Sequence, residues 1–160
     1  MFERFVKDVR RVVVRAAEEE AQQRGSATVE AEHLLLALAA DDGNPVGRLL
    51  ANNGLDHDGL LVALERETER SVAAVGISLT DFAPLVATAP RRKPSFAASA
   101  KRALERTLHV ALAHKDNRIS PPHLLVGILQ ADIGTVPRAL DAAQIDRVAL
   151  LARAERLLDA

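Results

Sequence analysis

Histidines, acids and serines are the side chains with which this chain could do chemistry, because it has five histidines and no cysteine among 160 residues. Without cysteine there are no disulfides, thiolate metal sites or cysteine nucleophiles. His33 and His123 each open an apolar run, His33-Leu-Leu-Leu-Ala-Leu and His123-Leu-Leu-Val-Gly-Ile-Leu. That placement suits an imidazole bonded to backbone at a helix start. His109 and His114 are five apart and share no helix face, His57 stands in a turn, and no His-Glu-x-x-His spacing or His/Asp cluster points to a metal. Serine, histidine and aspartate occur without the G-x-S-x-G turn that presents a nucleophile. The loop G-x-x-x-x-G-K-[ST], which cradles nucleotide phosphates, does not occur. No catalytic residue, metal or cofactor is expected; the chemistry on offer is non-covalent binding.

Composition narrows what could be bound. Lys+Arg number 21 against 22 Asp+Glu, a net charge of −1 that lacks the basic footprint of a nucleic-acid binder. Aromatics are 2% of the chain, so base-stacking platforms are missing and the core must be aliphatic. No run approaches the roughly 18 apolar residues of a membrane span, and the charged start MFERFVKDVRR is unlike a signal peptide. A cytoplasmic chain with no nucleic-acid or membrane partner is expected.

The elements that position these residues are helical. From Phe5 to Arg24 the apolar residues Phe5, Val9, Val12, Val13 and Ala16 recur at three- and four-residue steps, giving one amphipathic helix stopped by Gly25. Residues 26–30 offer N-cap side chains to a short buried helix through Leu38. After the turn at Asp41-Asp-Gly-Asn, Pro45 suits a first helical position, and Val46, Leu49 and Leu50 form a stripe ending at Gly54. A fourth helix begins near Asp56 and runs to about Arg70.

The second half repeats this order. A shift of ninety positions aligns His33-Leu-Leu with His123-Leu-Leu, Val46 with Val136, Arg48 with Arg138, Asp56 with Asp146 and Glu65 with Glu155. The opening helices match after a one-residue adjustment that pairs Phe5 with Phe96 and Arg10 with Lys101. The expected fold is all-α: two four-helix repeats over 1–70 and 96–160 related by a pseudo-twofold axis, forming one compact monomer. Residues 71–95, with Pro84, Pro90, Pro94 and the basic run Arg91-Arg-Lys93, read as a linker; its apolar stretch from Val75 suggests that part of it packs back.

The start MFERF…RRVVV, the two His-Leu-Leu blocks, and the PVGRLL and VPRAL segments that follow them resemble the N-terminal domain of Clp unfoldases, the double Clp-N repeat, nearest the ClpC type. The resemblance covers nearly the whole chain. It implies a domain that recruits degrons, peptides and adaptor proteins for an ATP-driven unfoldase, present either as a fragment of a longer chain or as a stand-alone, actinobacterial-type protein. In ClpC-type domains the acid before each His-Leu-Leu block binds arginine phosphate together with backbone groups at the helix start. Glu32 matches that acid in the first repeat, whereas Pro122, preceded by Pro121, replaces it in the second, so one phosphoarginine site is expected rather than two. A second face, carried over from the family's adaptor surface, comprises Phe2, Arg10, Val13, Val14, Phe96, Lys101 and Glu105. There the opening helices of the two repeats would face one another and receive adaptors or cyclic peptide antibiotics of the cyclomarin kind. With no ATPase of its own, such a domain would act as a decoy that sequesters these ligands from Clp unfoldase components.

Overall fold

A computed structural model describes residues 6–76 and 93–159, apart from the side chains of Asp8, Val13 and Val14. The first repeat contains α1 (Lys7–Arg11), a π-helical turn (Val12–Ala16), α2 (Ala17–Gln23), α3 (Ala31–Ala40), α4 (Pro45–Asn52) and α5 (His57–Ala74). The second contains α6 (Ala98–Ala113), α7 (Pro121–Leu129), α8 (Thr135–Ala142) and α9 (Arg147–Leu158). Since α1, the π-turn and α2 run on as one rod, each repeat is a four-helix unit and the fold is the expected all-α double repeat.

The π-turn accounts for the one-residue adjustment in the repeat. A π-turn closes i→i+5 bonds and so absorbs one more residue than an α-turn. Up to its first residue, Val9 and Val12 match Ala100 and Ala103 at a shift of ninety-one; after it, Ala17 and Ala21 match Thr107 and Ala111 at ninety, and all eight are buried. The inserted residue is taken up without rotating the buried stripe. Helix ends repeat as well: Gly25 and Gly54 turn left-handed at φ +70° and +73°, and their counterparts Lys115 and Gln144 adopt φ 58° and 60°.

The cores of the two repeats merge through α3 and α7, where Leu34, Leu36, Leu38, Leu124, Leu125, Ile128 and Leu129 are fully buried. These helices are apolar nearly all round, which forces them to the centre. The π-turn and α2 pack on α3, α6 packs on α7 and α3, and α3 and α7 touch each other. The opening helices carry charge on their outer sides, so one apolar stripe is all they can bury.

The repeats are also laced by backbone. Before α3, β1 (Thr28–Val29) lies parallel to β2 (Ser95–Phe96), the segment leading into α6. The Ala97 N–H donates to the Val29 carbonyl at 2.9 Å, and the Val6 N–H donates to the Ile119 carbonyl at 2.9 Å. These bonds are the same pair under the repeat, so each opening helix is anchored to the other repeat. Helix α5, capped by the Asp56 carboxylate on the Gly59 N–H at 2.8 Å, continues to Ala74, four residues beyond the expected end.

Candidate functional site: a groove between the repeats

Glu32 is the second residue of α3, and the start of that helix is held from both repeats. Glu30 is the N-cap; its own N–H donates to His33 Nδ1 at 2.8 Å, and its carboxylate accepts from Thr28 Oγ1 at 3.2 Å and from Ser99 Oγ. Ser99, on α6, accepts the Ala31 N–H at 2.9 Å. Burial holds the His33 imidazole down to about pKa 4, with the charge of Arg24 adding to the effect. Burial also pushes the Glu32 carboxyl above the usual carboxylate range, and the negative charge of Glu30 works in the same direction. A half-buried carboxyl of this kind gains most from a cationic hydrogen-bond donor.

Glu32 lines a groove of about 610 Å³ between the repeats. One wall is the α3 start, the second is α6 with Ser99, Arg102 and Arg106, and the third is the loop Ala131–Gly134 with the first turn of α8. Arg106 is fixed by its Nε donating to the Gly127 carbonyl at 2.7 Å. That bond needs α6 and α7 close together, and Gly127 allows it, because a Cβ there would lie 2.2 Å from Thr107 Oγ1. The backbone donors that the family resemblance assigns to a phosphoryl group are engaged: Ala31 N–H with Ser99, and His33 and Leu34 N–H with the Glu30 carbonyl at 3.1 and 3.4 Å. The cations available to an anion are therefore the arginines of α6. Sequence reasoning missed Arg102 and Arg106, although their four-residue spacing on a predicted helix puts them on one face.

In the second repeat Pro121 and Pro122 occupy the first two positions of α7 behind the N-cap Ser120. His123 Nδ1 accepts the Ser120 N–H at 2.9 Å and lies 2.8 Å from Ser120 Oγ, while its Nε2 lies 2.8 Å from Asp116 Oδ2. This Ser–His–Asp chain is a helix cap: the prolines supply no N–H for an oxyanion hole. The bonds of His33 and His123 agree with the structural role expected of them.

Four residues of the second predicted face are described. Arg10 is exposed on α1, Lys101 and Glu105 are exposed one turn apart on α6, and Phe96 is half-buried against the core. Phe2 and the side chains of Val13 and Val14 lie outside the described residues. Two charge contacts went unforeseen: His57 Nε2 meets Glu20 Oε1 at 2.7 Å, and the nearly buried Glu67 accepts from Arg138 Nε at 2.9 Å across the repeats and from Ser71 Oγ at 2.6 Å within α5. Among the described residues no helix is long and apolar enough to cross a membrane.

A helical double repeat with a charged groove between its halves offers a binding surface. The chain belongs to the Clp repeat (R) N-terminal domain family, whose sequence profile matches residues 4–87 and 95–160. It is 31% identical over 148 residues to the chaperone protein ClpD2, chloroplastic, of Oryza sativa subsp. japonica, covering 91% of this chain and 14% of that protein. It is 28% identical to the chloroplastic chaperone ClpC1 of the same plant, again covering 91% of this chain and 14% of that protein. The chain thus spans about a seventh of the length of these relatives. The crystal structure of the N-terminal domain of the chaperone ClpD from Arabidopsis thaliana superposes with a TM-score of 0.73 at 25% identity, covering 100% of this chain and 97% of that one. The Hsp104 N-terminal domain from Candida albicans shares the fold, with a TM-score of 0.65 at 15% identity and coverage of 97% and 91%. In the homologues this domain is a non-catalytic interaction module, and the chain is a Clp-system interaction domain.

Proposed function

We propose that the chain recruits or sequesters degradation-marked peptides in the groove at Glu32. The supporting observation is the half-buried Glu32 carboxyl in the same groove as Arg102 and Arg106. A ligand with a guanidinium for the carboxyl and an anion for the arginines satisfies both, and phosphoarginine carries the two on one side chain. Since Pro122 replaces the second acid, one site operates per chain. Titration calorimetry with free phosphoarginine tests this: a single site is expected, abolished in Glu32→Ala. Two equal sites, or undiminished binding in the variant, would overturn it.

The face of Phe2, Arg10, Val13, Val14, Phe96, Lys101 and Glu105 is proposed as a second surface, for adaptors or cyclomarin-type cyclic peptides. The 160 residues hold no ATP-binding loop of their own, so a ligand held by this chain alone is withheld from an unfoldase by mass action. Titration of a cyclomarin-type peptide against wild type and Phe2→Ala tests the surface. Micromolar binding weakened in the variant supports it, and unchanged binding removes Phe2 from it.

A further inference from the structure

The groove at Glu32 has a side that a marked arginine leaves uncovered. Ile133 is 80% exposed on its rim, beside Pro137 and the buried Val136, while Arg102 and Arg106 stand on the facing wall of α6. An apolar group of a ligand placed against Ile133 would leave water while an anion on the same ligand met the two arginines. Resting on the reading of this groove as the ligand site, we propose that it also takes the free C-terminus of an extended peptide. The terminal carboxylate lies on Arg102 and Arg106, a branched apolar last residue lies against Ile133 and Pro137, and a basic residue further upstream reaches Glu32.

Charge and geometry select this occupant. Arg102 has no hydrogen-bond or ion-pair partner among the described residues, and Arg106 is pinned through Nε, so its terminal nitrogens remain as donors with little freedom left to lose. Two guanidinium groups a helical turn apart match a planar carboxylate. Arg138 is already committed to Glu67, and Glu30 to Thr28 and Ser99. What remains facing the groove is Arg102 and Arg106 against Glu32 and Asp132. That balance suits a ligand with one anion and one cation; a bare dianion would meet both carboxylates. The volume, about 610 Å³, is that of a small-ligand site, enough for a few terminal residues and too small for a folded domain.

The test uses the whole chain and a fluorescein-labelled peptide ending Lys-Ala-Ala-Leu, compared by anisotropy with the same peptide carrying a C-terminal amide. The acid should bind roughly tenfold more tightly than the amide, a difference of one unit in log affinity. Arg102→Gln and Ile133→Ser, both at exposed positions that leave the core intact, should each weaken the acid and bring it towards the amide. Free phosphoarginine should displace the peptide. Equal binding of acid and amide, no binding of either, or full affinity in both variants would overturn the proposal, as would equal binding of an amidated phosphoserine peptide. If phosphoarginine binds through Glu32 while acid and amide are indistinguishable, the terminal-carboxylate proposal fails alone. If the acid binds through Arg102 while phosphoarginine does not bind, the phosphoarginine reading fails alone.

Discussion

The two loops that join the second and third helices of the repeats occupy equivalent places and behave oppositely. In the first repeat Asp41–Asn44 is fastened down: Asn44 caps the Val46 and Gly47 amides at 2.9 and 3.0 Å, and its Nδ2 donates to the Asp41 carbonyl at 3.1 Å. Gly47 lets that carbonyl approach so closely that a Cβ would lie 2.0 Å from it. In the second repeat Gly134 stands where Asn44 would be and offers no side-chain cap, Pro137 replaces Gly47, and Ile133 replaces Gly43 with its side chain in solvent. The corresponding hollows differ accordingly, about 330 Å³ beside Arg11, Arg15 and Asp41 against about 610 Å³ beside Arg102 and Arg106. The repeats share a core and differ at this loop, and the groove with Glu32 on its wall is the wider of the two.

If the repeats share a core and differ at these loops, core truncations must hurt both alike. Leu35→Ala and Leu125→Ala, at positions 2% and 0% exposed, should each cost about 2–5 kcal/mol in chemical denaturation. A surface-sized loss at either one would break the equivalence.

The start of α3 supplies the next largest effect, through pH. Folded His33 takes its proton near pH 4 and the unfolded imidazole near 6.5, so as the pH falls between those values the unfolded state gains protons that the native state does not. Stability should fall by about 3 kcal/mol across that window and be unaffected by this group above it. Glu32, whose carboxyl is raised, contributes with the opposite sign: its effect favours the native state in acid and is lost as the pH rises through its folded value. His33→Gln keeps a side chain able to accept the Glu30 N–H and removes the imidazole term. The difference between wild type and variant in urea midpoints from pH 7 to 4 isolates it, and a flat difference would show that burial does not depress His33.

How much of this was legible follows from which signals are local. Apolar stripes, Gly25, Gly54, Pro45 and the Asp56–Asp146 match depend on a few neighbouring residues, and each stands where the pattern put it. The one-residue adjustment between the opening helices was visible too, though nothing local said that a π-turn at Val12–Ala16 would absorb it rather than a loop. What escaped is long-range. Ser99 bonds Ala31 from 68 residues away, and Arg138 bonds Glu67 from 71. The site was half visible for the same reason: Glu32 came from one repeat's motif, but its opposite wall of Arg102, Arg106 and Ile133 belongs to the other repeat.

The closed loop can be forced open. Gly47→Ala places a methyl group against the Asp41 carbonyl and the Asp42 Cα, which must move, at a cost of about 1–3 kcal/mol. Pro137→Ala at the equivalent site meets no such obstacle and should change thermal stability little. A cost at Pro137 equal to that at Gly47 would mean that the two loops are held alike.

The smallest effect separates capping from shape. Asn44 contributes two things to α4: a side-chain oxygen shared by two otherwise unbonded amides, and an amide that ties the loop back to Asp41. Asn44→Ala removes both and adds a poor N-cap, for about 1 kcal/mol; Asn44→Gly leaves a tolerated N-cap residue and should cost only a few tenths of that. The glycine variant gives α4 the same N-cap residue as α8, which begins at Gly134 without any side-chain cap. If the second loop stands open merely because its cap is missing, Asn44→Gly should loosen residues 41–44 in amide exchange while the midpoint hardly moves. If the loop stays protected, the close approach that Gly47 permits is what holds it, and the open loop of the second repeat owes its form to Pro137 and Ile133 rather than to Gly134.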